Sequence, residues 1–257
     1  MKPDLQLLIV EGDPPELALG AKRGAGATGA RRLARALSVI APDSRFAYVE
    51  PWFSDHDPAA VDLAAFDGVA IAGSGRAPDA GEAGAGPVAA FCARAFRAGR
   101  PVFGSGRGML SGAALLGAAV GPGPESGVAR GIRPLEHPLT GGRRRRFDAP
   151  MRGGEAVARP PSGAEIAAVD AAGAPVALAY DVGGVRFWGC RYQPEATLFD
   201  LAFWLKRQAP RAAREIALAA QDPVAHARLI VKHRINADLL DPAYRTTELA
   251  NWLESLG

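Results

Sequence analysis

The residues best placed for chemistry are Pro101-Val102-Phe103-Gly104-Ser105-Gly106-Arg107-Gly108-Met109, a short apolar run that enters a glycine-framed turn and continues into the apolar stretch Leu110 to Val120. A strand that turns sharply into a helix needs small residues at the corner. The start of the helix supplies backbone amides able to hold a developing oxyanion. A nucleophile belongs at the centre of such a turn, yet the centre is Gly106, and Ser105 stands one residue early, where it is expected to point elsewhere. The second chemically suggestive stretch is Phe187-Trp188-Gly189-Cys190-Arg191-Tyr192-Gln193-Pro194-Glu195. It offers a carboxylate and an amide, but a glutamine has no basic nitrogen with which to take a proton at neutral pH, whereas an imidazole titrates at about pH 6.5.

Other reactive side chains are few. Cys92 and Cys190 are the only cysteines, with no CxxC and no histidine at ligand spacing, so neither a disulfide framework nor a metal site is expected, and a cytoplasmic location fits. Cys190 lies three residues before Gln193, an odd separation that on a continuing strand sets the two on opposite faces. Both thiols are read as core residues. None of His56, His137, His226 and His233 falls where a base is wanted, and His137-Pro138-Leu139 reads as a turn. Arg143 to Arg146 form one dense basic run, read as a solvated loop or strand edge. The net charge of +3 is too small to imply a nucleic-acid partner.

The elements needed to position these residues follow from the apolar periodicity. The 257 residues suffice for a large core, and 48% hydrophobic content with 31 Gly and 21 Pro reads as a folded chain rich in turns. Leu5 to Val10 is a short apolar run closed by Glu11-Gly12-Asp13-Pro14-Pro15, as expected of a buried strand entering a loop; it is neither a signal peptide nor a membrane span. Helical spacing over Arg31 to Ile40 leads to a strand at Arg45 to Val49. Val69 to Ala72 is a strand followed by the glycine turn Gly73-Ser74-Gly75, and Pro87 to Ala98 is helical before the strand at Val102. Strand and helix alternate, the signal of a parallel sheet with crossover helices. Beyond residue 121, β-like pieces at 128–132, 155–158, 166–169, 176–180 and 185–191 add strands, some antiparallel. From Pro210 onward the composition is helical, with Asp222-Pro223 and Asp241-Pro242 as helix starts.

The turn at Gly104 to Gly108 and the closing segment at Cys190 to Glu195 together resemble class I glutamine amidotransferases. In that family a cysteine occupies the centre of the turn, and a histidine, a proline and a glutamate follow the closing strand. On this resemblance Gly106 stands at the nucleophile position, Gln193 at the base and Glu195 at the orienting acid. Ala70-Ile71-Ala72-Gly73-Ser74 resembles the segment that lends oxyanion-hole amides, and Pro124-Glu125-Ser126-Gly127 the segment that holds glutamine. Gly153 stands where a histidine often precedes an acid two residues on, with Glu155 keeping the acid.

The resemblance implies an α/β fold, a flavodoxin-like three-layer sandwich around a mostly parallel sheet over residues 1–208, with a helical C-terminal extension over 209–257. It implies a protein without glutaminase activity, serving as a binding or regulatory subunit of a synthetase or ligase, with no cofactor. Two alternatives stay open: an enzyme of different mechanism acting on an amide through Ser74, Ser105, Arg107, Gln193 and Glu195, or a sensor in which Arg107 and Glu125 bind an amino acid or related anion. Gly73, Ser74, Ser105, Arg107 and Glu125 are therefore the ligand-pocket candidates.

Overall fold

A computed structural model of the chain describes residues 4–53, 57–73, 84–143, 145–206, 209–234, 236 and 239–257, the side chains of Ala25 and His233 excepted. Among the described residues the main sheet has nine strands: β1 (Gln6–Glu11), β2 (Arg45–Val49), β3 (Gly68–Ala72), β4 (Val102–Ser105), β6 (Gly127–Pro134), β7 (Phe147–Met151), β9 (Glu165–Val169), β10 (Pro175–Val182) and β11 (Val185–Cys190). Their order is β2-β1-β3-β4-β11-β10-β9-β6-β7, parallel from β2 to β11 and antiparallel beyond. The parallel half has the flavodoxin-like order, in which ligands gather at the carboxyl ends of the strands. Strands β5 (Ala119–Pro122) and β8 (Glu155–Arg159) form a separate antiparallel pair.

Period-two alternation divides β1 between two cores. Leu7 and Ile9 face one side, with Ala70, Phe103 and Cys190, beneath α2 (Gly29–Ile40) and α9 (Thr247–Glu254). Leu8 and Val10 face the other, with Val69, Val102 and Phe187, beneath α3 (Gly86–Arg97) and α4 (Arg107–Leu115). Three layers result. A third cluster joins Leu201 and Trp204 of α5 (Leu198–Leu205) to Ile216 of α6 (Pro210–Ala219) and Leu229 of α7 (Pro223–His233). The short α8 (Pro242–Arg245) leads back to α9.

Helix α9 is tied to the sheet by a buried polar knot. Arg143 forms a two-pronged ion pair with Glu248 (2.7 and 2.8 Å), Tyr192 donates its hydroxyl to the same carboxylate (2.8 Å), and the guanidinium stacks between Phe147 and Tyr244. Part of the basic run is thus internal, contrary to the expectation of a solvated loop; Arg144 lies outside the described residues. The reason is the carboxylate waiting in α9, more than one hundred positions away.

Two details go beyond the sequence reading. The apolar run after Gly108 is helical only to Leu115: Gly117 adopts φ 97°, and the amide of Ala118 closes back on Ala113. A left-handed glycine cap ends the helix and frees Ala119 to Pro122 for β5. The expected loop after Glu11 is short, and α1 (Pro15–Ala25) follows it. Its signals were present: Pro15 at the first helical position, Glu16 in the first turn, Lys22 and Arg23 in the last, and Gly26 at φ 76°. Among the described residues, no helix is long and apolar enough to cross a membrane.

Candidate functional site

The turn after β4 is an elbow. Gly106 has φ 57° and ψ −112° and immediately precedes α4. Its glycine frame is required by packing: a Cβ on Gly104 would lie 2.6 Å from the Gly108 carbonyl carbon and the Met109 nitrogen, and one on Gly108 would collide with the Ile71 carbonyl. The backbone is pinned by Gly106 N–H donating to the Cys190 carbonyl (2.8 Å), so β4 and β11 deliver Gly106 and Gln193 to the same place.

That place is closed. The carbonyl of Gly73, at the end of β3, accepts from the amide of Arg107 (2.8 Å) and faces the Gln193 side-chain nitrogen at 3.4 Å. A Cβ on Gly106 would approach the Gly73 oxygen to under 3.0 Å and lie 3.1 Å from Gln193 Nε2. The amide that follows the centre of the elbow is therefore engaged by the protein's own carbonyl, and the volume of a side chain at 106 is filled. Gln193 is held from both ends: its backbone amide donates to Pro150 (2.9 Å), and its Oε1 accepts from Arg152 (2.8 Å). The strand ends at Cys190, so strand alternation does not extend to Gln193; the thiol lies in the α2/α9 core, its pKa raised by burial.

Ser105 does not point away from the acid. Its hydroxyl is buried and donates to Glu195, 2.7 and 2.9 Å from the two oxygens. Nor does Glu195 serve as a helix-start acid: the cap of α5 is Thr197, in a reciprocal capping box with Asp200, while Glu195 turns inward. Burial raises the Glu195 pKa, and the Ser105 hydrogen bond opposes that rise. Behind the elbow, at the end of β1, Glu11 is fully buried, accepting from the amides of Asp13 (3.0 Å) and Ala30 (2.9 Å); burial and then the charge of Asp13 push its pKa up to about 7.

The remaining sequence candidates divide. Arg107 is only 5% exposed, and its Nη1 is buried without a hydrogen-bond partner. Glu125 is exposed, and no described hydrogen bond or ion pair joins it to Arg107. Ser74 lies outside the described residues. At Gly153 any Cβ would strike the Pro124 carbonyl, so that position excludes every side chain, while Glu155 is buried at the start of β8.

On the far side of Glu195 lies a cavity of about 880 Å³, bounded by α2, the start of α5 and the Asp241 to Thr246 segment. Arg32, Arg35 and Arg245 enter it. None of the three stands out in the sequence, since Arg32 and Arg35 look like the polar face of an ordinary amphipathic helix. Their i, i+3 spacing was the one available signal.

No protein-family model matches the chain, and no curated protein matches it. Solved structures do. A glutamine amidotransferase from Thermotoga maritima is 14% identical with a TM-score of 0.63, the match covering 99% of both chains. A glutamine amidotransferase from Methylobacillus flagellatus is 17% identical with a TM-score of 0.59, covering 100% of this chain and 96% of the other. A protein from Thermoplasma acidophilum described as a GMP synthase subunit is 14% identical with a TM-score of 0.52, covering 82% of this chain and 99% of the other. The chain has the class I glutamine amidotransferase-like fold.

Proposed function

We propose that this chain is a glutamine amidotransferase-like protein without glutaminase activity that acts as a binding or regulatory subunit of a synthetase or ligase. The observation that carries the reading is the Gly73 carbonyl, which fills the space of a side chain at 106 and takes up the Arg107 amide. Hydrolysis of glutamine through a thioester needs a nucleophile, a base and a free oxyanion donor. Gly106 offers no nucleophile, Gln193 no base, and the Arg107 amide is already bonded. The purified protein is expected to release no ammonia from glutamine above a buffer blank; turnover abolished by Glu195→Ala would overturn the reading.

The subunit role draws support from the likeness to the Thermoplasma protein described as a GMP synthase subunit, which suggests a synthetase as the partner. Affinity capture of the tagged chain from its source cells, followed by protein identification, is expected to recover such an enzyme at a fixed ratio. Recovery of the chain alone counts against the role.

A second reading is favoured by one observation, the buried and unpartnered Nη1 of Arg107. A guanidinium in that state suits a carboxylate. On this reading glutamate at millimolar concentration raises the melting temperature of the wild type and not of Arg107→Met; equal shifts in both proteins remove it.

A further inference from the structure

The cavity behind Glu195 has walls of two kinds. One is apolar, built from Ala36, Val39 and Ile40 of α2 with Phe199 of α5 opposite. Val39 is 80% exposed and Phe199 48% exposed, so two large apolar side chains stand at its rim. The other wall is charged, with three guanidinium groups and the carboxylates of Glu195, Asp200 and Asp241. Its volume of about 880 Å³ falls within the range of about 300 to 1,000 Å³ usual for small-molecule sites.

The hydrogen-bond inventory decides the sign of what fits. Each carboxylate already accepts within the chain. Asp200 accepts from Thr197 through Oδ2 and pairs with Arg32 through Oδ1 (3.3 Å); Asp241 Oδ1 caps the amide of Ala243; both Glu195 oxygens face Ser105. The donors are committed only in part. Arg32 gives Nη1 to the Ala27 carbonyl (2.8 Å) and to Asp200, but its buried Nε has no hydrogen-bond partner. Arg245 spends Nε on the Pro194 carbonyl (3.2 Å), and no described hydrogen bond or ion pair engages its terminal nitrogens or the side chain of Arg35. Burial lowers the pKa of Arg245, and the charges of Asp200, Glu195 and Asp241 oppose that shift. A guanidinium carries donors only, so a ligand completing this wall must bring acceptors.

We infer that the cavity between α2, α5 and α8 binds a small amphiphile, a carboxylate whose head meets Arg35 and Arg245 and whose apolar body lies along Val39, Ile40 and Phe199. The site is separate from the closed elbow, and its ligand needs neither Gly106 nor Gln193.

Isothermal calorimetry of the full chain with decanoate tests the inference, with decanol and acetate as comparators that lack the head and the tail respectively. Decanoate is expected to bind at a single saturable site, and each comparator about tenfold or more weaker. Arg35→Met removes an exposed side chain that no described hydrogen bond or ion pair engages, and Val39→Asp sets a charge at the rim without touching the core. Both variants should fold as the wild type does and lose about tenfold or more in decanoate affinity. Absence of saturable binding, equal binding of decanol, or wild-type affinity in either variant overturns it.

Discussion

Glu195 has two contrasting neighbourhoods. Toward the elbow, polar groups satisfy one another except for the Nη1 of Arg107: Gly73 pairs with the Arg107 amide and Gln193, Gln193 with Arg152 and Pro150, Ser105 with Glu195. Toward α2 and α8, three guanidinium groups share a cavity wall with three carboxylates, and the buried Nε of Arg32 finds no acceptor. The difference teaches that the elbow's backbone and its chemistry answer to separate demands. Gly104 and Gly108 are imposed by the packing of α4 against β3 and β4, so the turn keeps its shape whether or not a nucleophile sits in it. At the cavity, the side chain of Arg35 and the terminal nitrogens of Arg245 have no described acceptor either.

The contrast is sharpest if the cavity's outer wall is rigid, and the buried knot under α9 is what holds α8 and α9 in place. Glu248→Ala leaves the Arg143 guanidinium buried without its anion and the Tyr192 hydroxyl without its acceptor. A loss of about 3 to 5 kcal/mol is expected in urea denaturation. A loss below about 1 kcal/mol would show that the wall is not pinned there.

The closed side has a pH signature of its own. With its pKa raised from 4.5 to about 7, Glu11 keeps a proton in the folded chain that the unfolded chain has released. Its stabilising contribution is fully present below about pH 4.5 and is lost as pH rises through about 7, by about 3 kcal/mol at most. Denaturation midpoints of the wild type should therefore fall from about pH 5 to about pH 8 more steeply than those of Glu11→Gln. Parallel curves would place an ionised, compensated Glu11 at the end of β1.

Much of this architecture was legible in the sequence. Leu5 to Val10, Val69 to Ala72 and Val102 to Ser105 read as strands because continuous apolar runs are what a parallel sheet buried on both faces requires. Gly106 and Gln193 were legible as neighbours only through resemblance, since the long stretch between them carries no spacing signal; the structure brings them together through the pairing of β4 with β11. Three things were not legible. The approach of the Gly73 carbonyl depends on the relative height of β3 and β4, which no local pattern encodes. Ser105 reaches Glu195 because residues past Cys190 leave the strand and its alternation. The Arg32, Arg35 and Arg245 cluster is drawn from two helices more than two hundred residues apart, each ordinary by itself.

The comparison breaks if the elbow can be reopened. Gly106→Cys sets a Cβ against the Gly73 carbonyl at a positive φ, an overpacking expected to cost about 1 to 3 kcal/mol. Adding Gln193→His to it supplies both missing groups, and still no ammonia release from glutamine is expected, because the Arg107 amide stays bonded to Gly73. Turnover by the double variant would mean that Gly73 withdraws easily and that the site lacks only its side chains.

The smallest expected effect tests the hinge of the contrast, the bond between Ser105 and Glu195. Ser105→Ala removes the donor facing a buried carboxyl, at a cost of about 1 kcal/mol near neutral pH. The hydroxyl opposes the upward shift of the Glu195 pKa, so its loss raises that pKa further. An acid whose folded pKa rises loses stability as pH climbs through the new value, because the folded form then holds a proton the unfolded form has shed. The penalty of Ser105→Ala must therefore grow with pH, being least at about pH 4.5 and largest at about pH 8. Urea midpoints of the two proteins across that range measure it. A penalty constant with pH would mean that Ser105 contributes packing alone and that Glu195 is already neutral in the folded chain.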